Sequence, residues 1–204
     1  INEGLTQDIH LILNTDDPLS SLYGYKRDKV TYFGMNQNAL SKTKNTSRYD
    51  DGKYCPNCKS RMQYDYYHFN HIGSYHCENC GHSRKEPNYA VTDLDLKAGE
   101  IVINKKYRIH MTLRSIYNAY NLLATFAVAR LFGIDEDKIV STLTEYVAKN
   151  DRVQTLIEKE GYPAGTIGVV VSLYSAGPAC EVELWDEDDY PVDVVTYRLD
   201  ELVP

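Results

Sequence analysis

The chain has 204 residues, of which 43% are hydrophobic and 25% charged, ordinary values for a globular protein that exclude wholesale disorder. Its 22 Lys and Arg residues against 29 Asp and Glu residues give a formal net charge of −7. Residues 155–204 account for all of this excess, because eleven acidic residues accompany two basic ones there, while basic residues slightly outnumber acidic ones in the rest of the chain. Because like charges repel, we do not expect this segment to bind a nucleic acid.

We expect a cytoplasmic protein without a membrane span. The longest apolar run, 122–131, is far shorter than the about 20 residues that a spanning helix needs. The first residues show neither the basic nor the apolar region of a signal peptide. Since the sequence does not begin with Met, we expect a fragment or a processed product.

Alternating strands and helices are predicted for residues 1–150, which indicates an α/β domain. Residues 9–13 form a short apolar run that ends in turn-forming residues, typical of a buried strand with a loop at its carboxyl end. In chain order, we then predict a helical turn at 19–25, a strand at 29–34, a linker or mobile loop at 36–53, a hairpin at 90–96 and 100–104, and helices at 115–132 and 135–149.

Residues 151–204 have a different pattern and are predicted to form a second, all-β domain. Four β-rich segments, separated by turns that contain Gly and Pro, lie at 152–158, 166–174, 179–185 and 192–199. Several short strands in about 50 residues fit a small SH3-like barrel. Cys180 lies in one of these segments and is expected to pack as a small apolar side chain.

Two Cys-x-x-Cys pairs, Cys55-Pro-Asn-Cys58 and Cys77-Glu-Asn-Cys80, indicate a zinc ribbon at 54–82. Each pair can present two thiolates from one tight turn, called a knuckle, and two knuckles complete a tetrahedral site with four sulfur ligands. The alternatives are two disulfides or a redox pair, and the lack of a secretory signal favours zinc. A site closed by four thiolates is expected to be structural rather than catalytic.

Four histidines lie close to these cysteines, but four thiolates already satisfy the metal. We therefore expect the histidines on the hairpin surface or behind the metal ligands. They are His68, His71, His76 and His82.

Three segments in order, 11–18, the ribbon 55–81 and 116–124, make residues 1–150 similar to the central domain of Mur ligases. The inserted ribbon resembles specifically the MurT type, the ligase subunit of lipid II isoglutaminyl synthase. The resemblance implies an enzyme that uses ATP and Mg²⁺ to activate the D-glutamate α-carboxylate of lipid II. A GatD-type glutamine amidotransferase is the implied partner and supplies the ammonia that yields D-isoglutamine.

The resemblance also implies nucleotide-binding residues. Asn118 and Asn121 match two asparagines on one helix face that contact the adenine side, although a polar helix face alone explains their spacing. Three residues, Asn14, Asp16 and Asp17, match a motif at the carboxyl end of a strand, where α/β sheets place ligands. On the residues alone they equally fit a helix cap.

A further match is Arg152, which resembles a linker arginine that approaches the γ-phosphate. It fits equally well in the first strand of the second domain.

The chain also departs from the family pattern. It contains no Gly-x-x-x-x-Gly-Lys-[Ser/Thr] phosphate loop, and in place of the C-terminal ligase domain, which binds GatD, it has the acidic β domain. Residues 151–204 resemble a small bacterial domain of unknown function, with an unknown ligand. We therefore expect a MurT-like portion of a ligase that is inactive alone, or alternatively a non-catalytic, zinc-stabilised binding or regulatory module. A nucleic-acid-binding ribbon is disfavoured, because no Lys/Arg cluster accompanies its aromatic residues.

Overall fold

The structure is a computed structural model that describes residues 5–45, 51–112, 114–145, 153–156, 161–163, 166–174, 178–185 and 191–203. The chain divides into two units, Ile1–Tyr146 and Val147–Pro204. Among the helices of the described residues, none combines the length and the apolar character that crossing a bilayer requires.

The first unit is a mixed α/β structure. Its elements are β1 (Leu11–Asn14), α1 (Pro18–Leu22), β2 (Val30–Met35), β3 (Gln63–Phe69), β4 (Ile72–His76), β5 (Tyr89–Asp95), β6 (Glu100–Ile103), β7 (Tyr107–His110), α2 (Ile116–Leu131) and α3 (Glu136–Glu145). The strands and helices predicted for this unit up to residue 132 are confirmed with small shifts at their ends, while β7 was not predicted. The helix predicted at 135–149 is confirmed as α3 in its described part, and residues 146–149 lie outside the described residues. In the described part of 36–53 there is no helix or regular strand, as expected.

Five of these strands form one sheet in the order β1-β2-β5-β6-β7. Strands β1, β2 and β5 run parallel, and β6 and β7 continue the sheet antiparallel. Because β1 and β2 are parallel, their carboxyl ends meet at the same edge of the sheet. This edge is the usual ligand position in α/β sheets, and it brings the loop after β1 next to the end of β2.

Helix α2 covers the parallel part of the sheet, since it packs on β1, β2 and β5. Its N-cap is Ser115, whose hydroxyl accepts a hydrogen bond from the backbone N–H of Asn118 at 3.0 Å. The helix buries one face completely, with Ala119, Leu123 and Phe126 at zero exposure. That face, together with β6 and β7, forms the core that fixes the position of α2 against the loop after β1.

The ribbon is a two-stranded antiparallel hairpin of β3 and β4, with one knuckle on each side of it in sequence. It has a small core of its own, in which Cys55 and Cys77 pack with Met62 and Tyr75. The hairpin lies within the ribbon predicted at 54–82.

The second unit is one antiparallel sheet in the order β11-β10-β9-β8-β12, formed by β8 (Val153–Leu156), β9 (Ile167–Leu173), β10 (Ala179–Trp185), β11 (Pro191–Arg198) and β12 (Leu202–Val203). Cys180 is fully buried in its core beside Val182 and Tyr197, which confirms its expected apolar role. In the described residues the edge strands β11 and β12 do not pair with each other. The all-β character is therefore established, and the SH3-like barrel stays a prediction.

Candidate functional site

The two cysteine knuckles have the same backbone geometry. In the first, the backbone N–H of Lys59 donates to the carbonyl of Cys55 at 2.9 Å, and in the second, that of Gly81 donates to Cys77 at 2.8 Å. Lys59 and Gly81 occupy the same place after each pair, with φ of 64° and 72°. This left-handed conformation lets the backbone of each knuckle turn back on itself, and it is unfavourable for residues other than glycine.

The four thiols are separated by distances that fit a bound metal ion and do not fit disulfides. The Sγ atoms of Cys55 and Cys80 are 3.6 Å apart, those of Cys58 and Cys77 are 3.5 Å apart, and all four lie within 4.8 Å of one another. A disulfide needs about 2.05 Å. A tetrahedron with Zn–S bonds of about 2.3 Å has sulfur atoms about 3.8 Å apart. The four cysteines can hold a metal ion, and their spacing is compatible with zinc.

Asparagine side chains prepare two of the thiols to act as ligands. A hydrogen bond from Asn79 lowers the pKa of Cys58 to about 5, and one from Asn57 lowers the pKa of Cys80. The asparagine of each knuckle therefore serves the last cysteine of the other knuckle. Burial raises the pKa of Cys55 to about 12 in the absence of an ion. A cation is needed to bring that thiol into its thiolate form.

Asp16, in the loop after β1, is a fully buried carboxylate with three hydrogen-bond donors. Its Oδ1 accepts from Nε of Arg84 at 2.6 Å. Its Oδ2 accepts from the hydroxyl of Tyr120 at 2.7 Å and from the backbone N–H of Met35 at 2.6 Å. Burial disfavours the charged guanidinium, but the nearby carboxylate outweighs this and raises the pKa of Arg84. The two groups form a buried ion pair that connects the loop after β1 to the segment after the ribbon, and the other hydrogen bonds of Asp16 extend this link to β2 and α2.

The residues on either side of Asp16 have local roles. Asn14 accepts a hydrogen bond from the backbone N–H of Asp16 at 3.0 Å. Asp17 is the N-cap of α1 and accepts from the backbone N–H groups of Leu19 at 3.0 Å and Ser20 at 3.2 Å. Burial raises the pKa of Asp17, but hydrogen bonds from His71 and Ser20 outweigh it, so the net shift is downward and the carboxyl is ionised. The structure thus brings these three predicted residues together in one loop.

The two predicted asparagines of α2 do not lie on the face of the helix that is buried against the sheet. At about 100° per residue, Asn118 and Asn121 share a face that points away from the buried face. Asn121 is exposed and Asn118 is half-buried, whereas Tyr120, between them in sequence, turns inward to Asp16. Tyr120 therefore contacts the loop after β1, while Asn121 lies on the exposed face of α2. Arg152 lies outside the described residues.

The expected position of His68 was wrong. Its side chain is fully buried, with Nε2 donating to the carbonyl of Met35 at 3.0 Å and Nδ1 lying 3.2 Å from the hydroxyl of Ser41. Burial lowers the pKa of His68, which keeps the ring neutral. His76 is near the surface and pairs with Asp65 at 3.7 Å, as expected of a hairpin position.

Sequence reasoning also missed Arg84 and Tyr120, the partners of Asp16. For Tyr120 there was a signal, because it lies on the apolar face of a predicted helix, where a hydroxyl requires a partner. Its burial and the neighbouring carboxylate raise its pKa well above the ordinary value, so the phenol remains a donor. Arg84 follows the ribbon in an irregular segment, and no pattern distinguished it.

A cavity of about 290 Å³ lies between this loop and the first knuckle. Asp17 and His71 provide polar groups on one side, with Nε2 of His71 3.6 Å from Oδ1 of Asp17. Pro18, Leu19, Tyr54 and Pro56 also line it. The cavity therefore borders the loop that follows β1.

No protein-family model matches the chain. It is 35% identical over 146 residues to the lipid II isoglutaminyl synthase (glutamine-hydrolyzing) subunit MurT of Staphylococcus aureus, which covers 72% of this chain and 33% of that protein. The MurT subunit of Streptococcus pneumoniae is 30% identical over 138 residues, or 63% of this chain and 29% of that protein. The chain thus spans about a third of the length of the curated relatives it matches.

A solved structure is also similar to the chain. It is a pseudomurein peptide ligase type C from Methanothermus fervidus, with a TM-score of 0.60 and 26% identity. The match covers 74% of this chain and 30% of the ligase.

Proposed function

This chain belongs to the MurT family, and from that premise we propose that it provides part of an ATP-dependent amide ligase. The observation that carries the proposal is the 35% identity to a MurT subunit over 146 residues. The similarity to a pseudomurein peptide ligase points to the same class of chemistry, in which a carboxylate is joined to a nitrogen. The proposed substrate is the D-glutamate α-carboxylate of lipid II, with ammonia supplied by a GatD-type glutaminase, in the cytoplasm.

The residues of this chain that we assign to nucleotide binding follow the resemblance. Asn118 and Asn121 are proposed to contact the adenine side, and their position on an accessible face of α2 supports this. An amide can both donate to and accept from a purine edge. The remaining proposed residues are Asn14, Asp16, Asp17 and Arg152.

Zinc is proposed as the ion of the ribbon, with a structural role. Cys55, Cys58, Cys77 and Cys80 would hold it, and the sulfur spacing and the lowered pKa of two thiols support the assignment. When bound, the ion would cross-link the two knuckles. It would not take part in catalysis, because four thiolates leave no open coordination position.

The residues of the chain do not provide a Mg²⁺–phosphate cradle, since the sequence has no Gly-x-x-x-x-Gly-Lys-[Ser/Thr] motif. We therefore derive no phosphoryl-transfer step from this chain and propose that it is inactive alone.

A chimera tests the proposed function without requiring activity of the isolated chain. The matching segment of a MurT subunit is replaced by the first unit of this chain, and amidation of lipid II is measured by mass spectrometry with a GatD-type partner and ATP. We expect amidation to be retained and to fall at least tenfold with Asn121→Ala. Thr125→Ala, one turn further along the same helix face, is the matched control and should leave it unchanged. A folded chimera that binds zinc but forms no isoglutamine would contradict the proposal.

The alternative function is a non-catalytic, zinc-stabilised binding or regulatory module. It is favoured by the fact that the Asp16 carboxylate is already occupied by three donors. The chimera separates the two functions, because a non-catalytic module would fold and remain inactive. The acidic second unit has no assigned ligand, and its charge argues against a nucleic acid.

A further inference from the structure

The loop after β1 and the first turn of α1 are held almost residue by residue by residues 71–85, which comprise the second half of the ribbon and the segment that follows it. We call this set of contacts the clamp. In loop order the clamp joins Thr15 with Lys85, Asp16 with Arg84, Asp17 with His71, Pro18 with His82, and Ser21 with Tyr75. A backbone contact adds to it, since the N–H of Gly73 donates to the carbonyl of Asp16 at 2.9 Å.

The contacts of the clamp are strong and mostly shielded from water. Thr15 both donates to the carbonyl and accepts from the N–H of Lys85, each at 2.8 Å, and is fully buried. The Asp16–Arg84 pair is charge-assisted, with the Arg84 side chain only 12% exposed. A ring nitrogen of His82 lies 2.8 Å from the carbonyl of Pro18. Buried hydrogen bonds of this kind leave the loop little freedom while the ribbon holds its shape.

The part of the ribbon that makes the clamp also contains half of the metal ligands. Cys77 and Cys80 lie within 71–85, and the N–H of Cys77 donates to the carbonyl of His82 at 2.8 Å. The N–H of Arg84 donates to the carbonyl of Tyr75 at 3.0 Å, which aligns the residue that binds Asp16. Since metal binding in a small ribbon is coupled to its folding, loss of the ion would release these clamp residues together.

We propose that the metal site of the ribbon and the conformation of the loop after β1 are energetically coupled through the clamp, with Arg84 as the main positioning residue. The ribbon then acts as a device that holds the β1–α1 loop and its cavity in one shape. The coupling is reciprocal, so a change in the clamp that touches no cysteine must also weaken metal binding. This inference rests on the proposed zinc site but not on the proposed ligase activity, because neither ATP nor amidation enters the measurement.

The first measurement is hydrogen exchange of the full 204-residue chain, loaded with zinc and then treated with a chelator. We expect exchange in a peptide covering 11–25 to accelerate at least tenfold on zinc removal, while a peptide covering 100–111 changes less than threefold. An unchanged rate in 11–25 while the ribbon peptides exchange freely would overturn the proposal.

The second measurement is zinc affinity, by competition with a chromophoric chelator. Arg84→Gln and Thr15→Val each remove a clamp contact, and the usual size of coupling between sites predicts affinity losses of about 5- to 150-fold. The control is Ile109→Val, a fully buried core change in β7 outside the clamp, which destabilises the unit and should leave zinc affinity within twofold. If Arg84→Gln does not fold, Thr15→Val decides. A Thr15→Val affinity within twofold of the unmodified chain would refute the coupling.

Discussion

Replacing Asp16 by Asn tests whether the buried ion pair is the main electrostatic link within the first unit. The substitution keeps the shape of the side chain but removes its charge. Arg84 would then remain as a cation that is 12% exposed, without its carboxylate partner. The introduced amide would also have only one acceptor oxygen for the three hydrogen-bond donors of Arg84, Tyr120 and Met35.

The expected loss in the free energy of unfolding is about 3–5 kcal/mol, the usual cost of removing one partner of a buried pair. We expect a value near the lower end, because Arg84 keeps a hydrogen bond to the carbonyl of Met35 at 3.1 Å. Tyr120→Phe, which removes a single hydrogen bond to the charged oxygen, should cost about 1.5–3 kcal/mol. Asp16→Asn combined with Arg84→Met should cost less than the sum of the single changes by at least about 1 kcal/mol.

The assay is urea unfolding of the zinc-loaded chain at pH 7.5, followed by ellipticity at 222 nm. All described α-helices lie in the first unit, so this signal reports on that unit, while fluorescence of the single tryptophan, Trp185, reports on the second. The second unit should be unaffected and is an internal control. A loss below about 0.5 kcal/mol for Asp16→Asn would show that the pair is not a structural link and would refute this reasoning.

Four further predictions concern the metal, pH, packing and ATP. Elemental analysis should find one zinc per chain, lost with Cys77→Ser and retained with Cys180→Ser. Because the pKa of His68 is lowered by folding, its contribution to stability is full above about pH 6.5 and declines as the pH falls through the folded pKa. Urea unfolding should show this decline more weakly in His68→Gln, and an equal decline would contradict it. Gly34→Ala places a Cβ atom 2.6 Å from Oδ1 of Asp16 and 2.7 Å from Cγ2 of Thr15 and should destabilise the first unit by about 1–3 kcal/mol in the same assay. Calorimetric titration of the chain alone with Mg-ATP should give a Kd weaker than about 1 mM, because a small number of neutral hydrogen bonds does not offset the free-energy cost of association. Binding at a low-micromolar Kd would contradict this and would reveal an unrecognised phosphate site.

The amino-acid sequence by itself determined the features that depend on local pattern. Apolar periodicity located α2, and the short apolar run before Asn14 located β1. The spacing of the two Cys-x-x-Cys pairs identified all four thiols that the structure brings together. Family membership was also readable from the sequence, because three motifs in order suffice to distinguish a lineage.

Only the tertiary structure decided what the polar residues of the loop after β1 contact. Asp16 meets Arg84 across 68 residues of sequence and Tyr120 across 104, separations at which no local periodicity constrains a pairing. His68 alternates along its strand like its neighbours, and its burial follows from how the ribbon docks on the end of β2. Such contacts depend on which faces the folded sheet, helix and ribbon turn toward one another. A residue pattern does not encode that, because many arrangements satisfy the same local preferences.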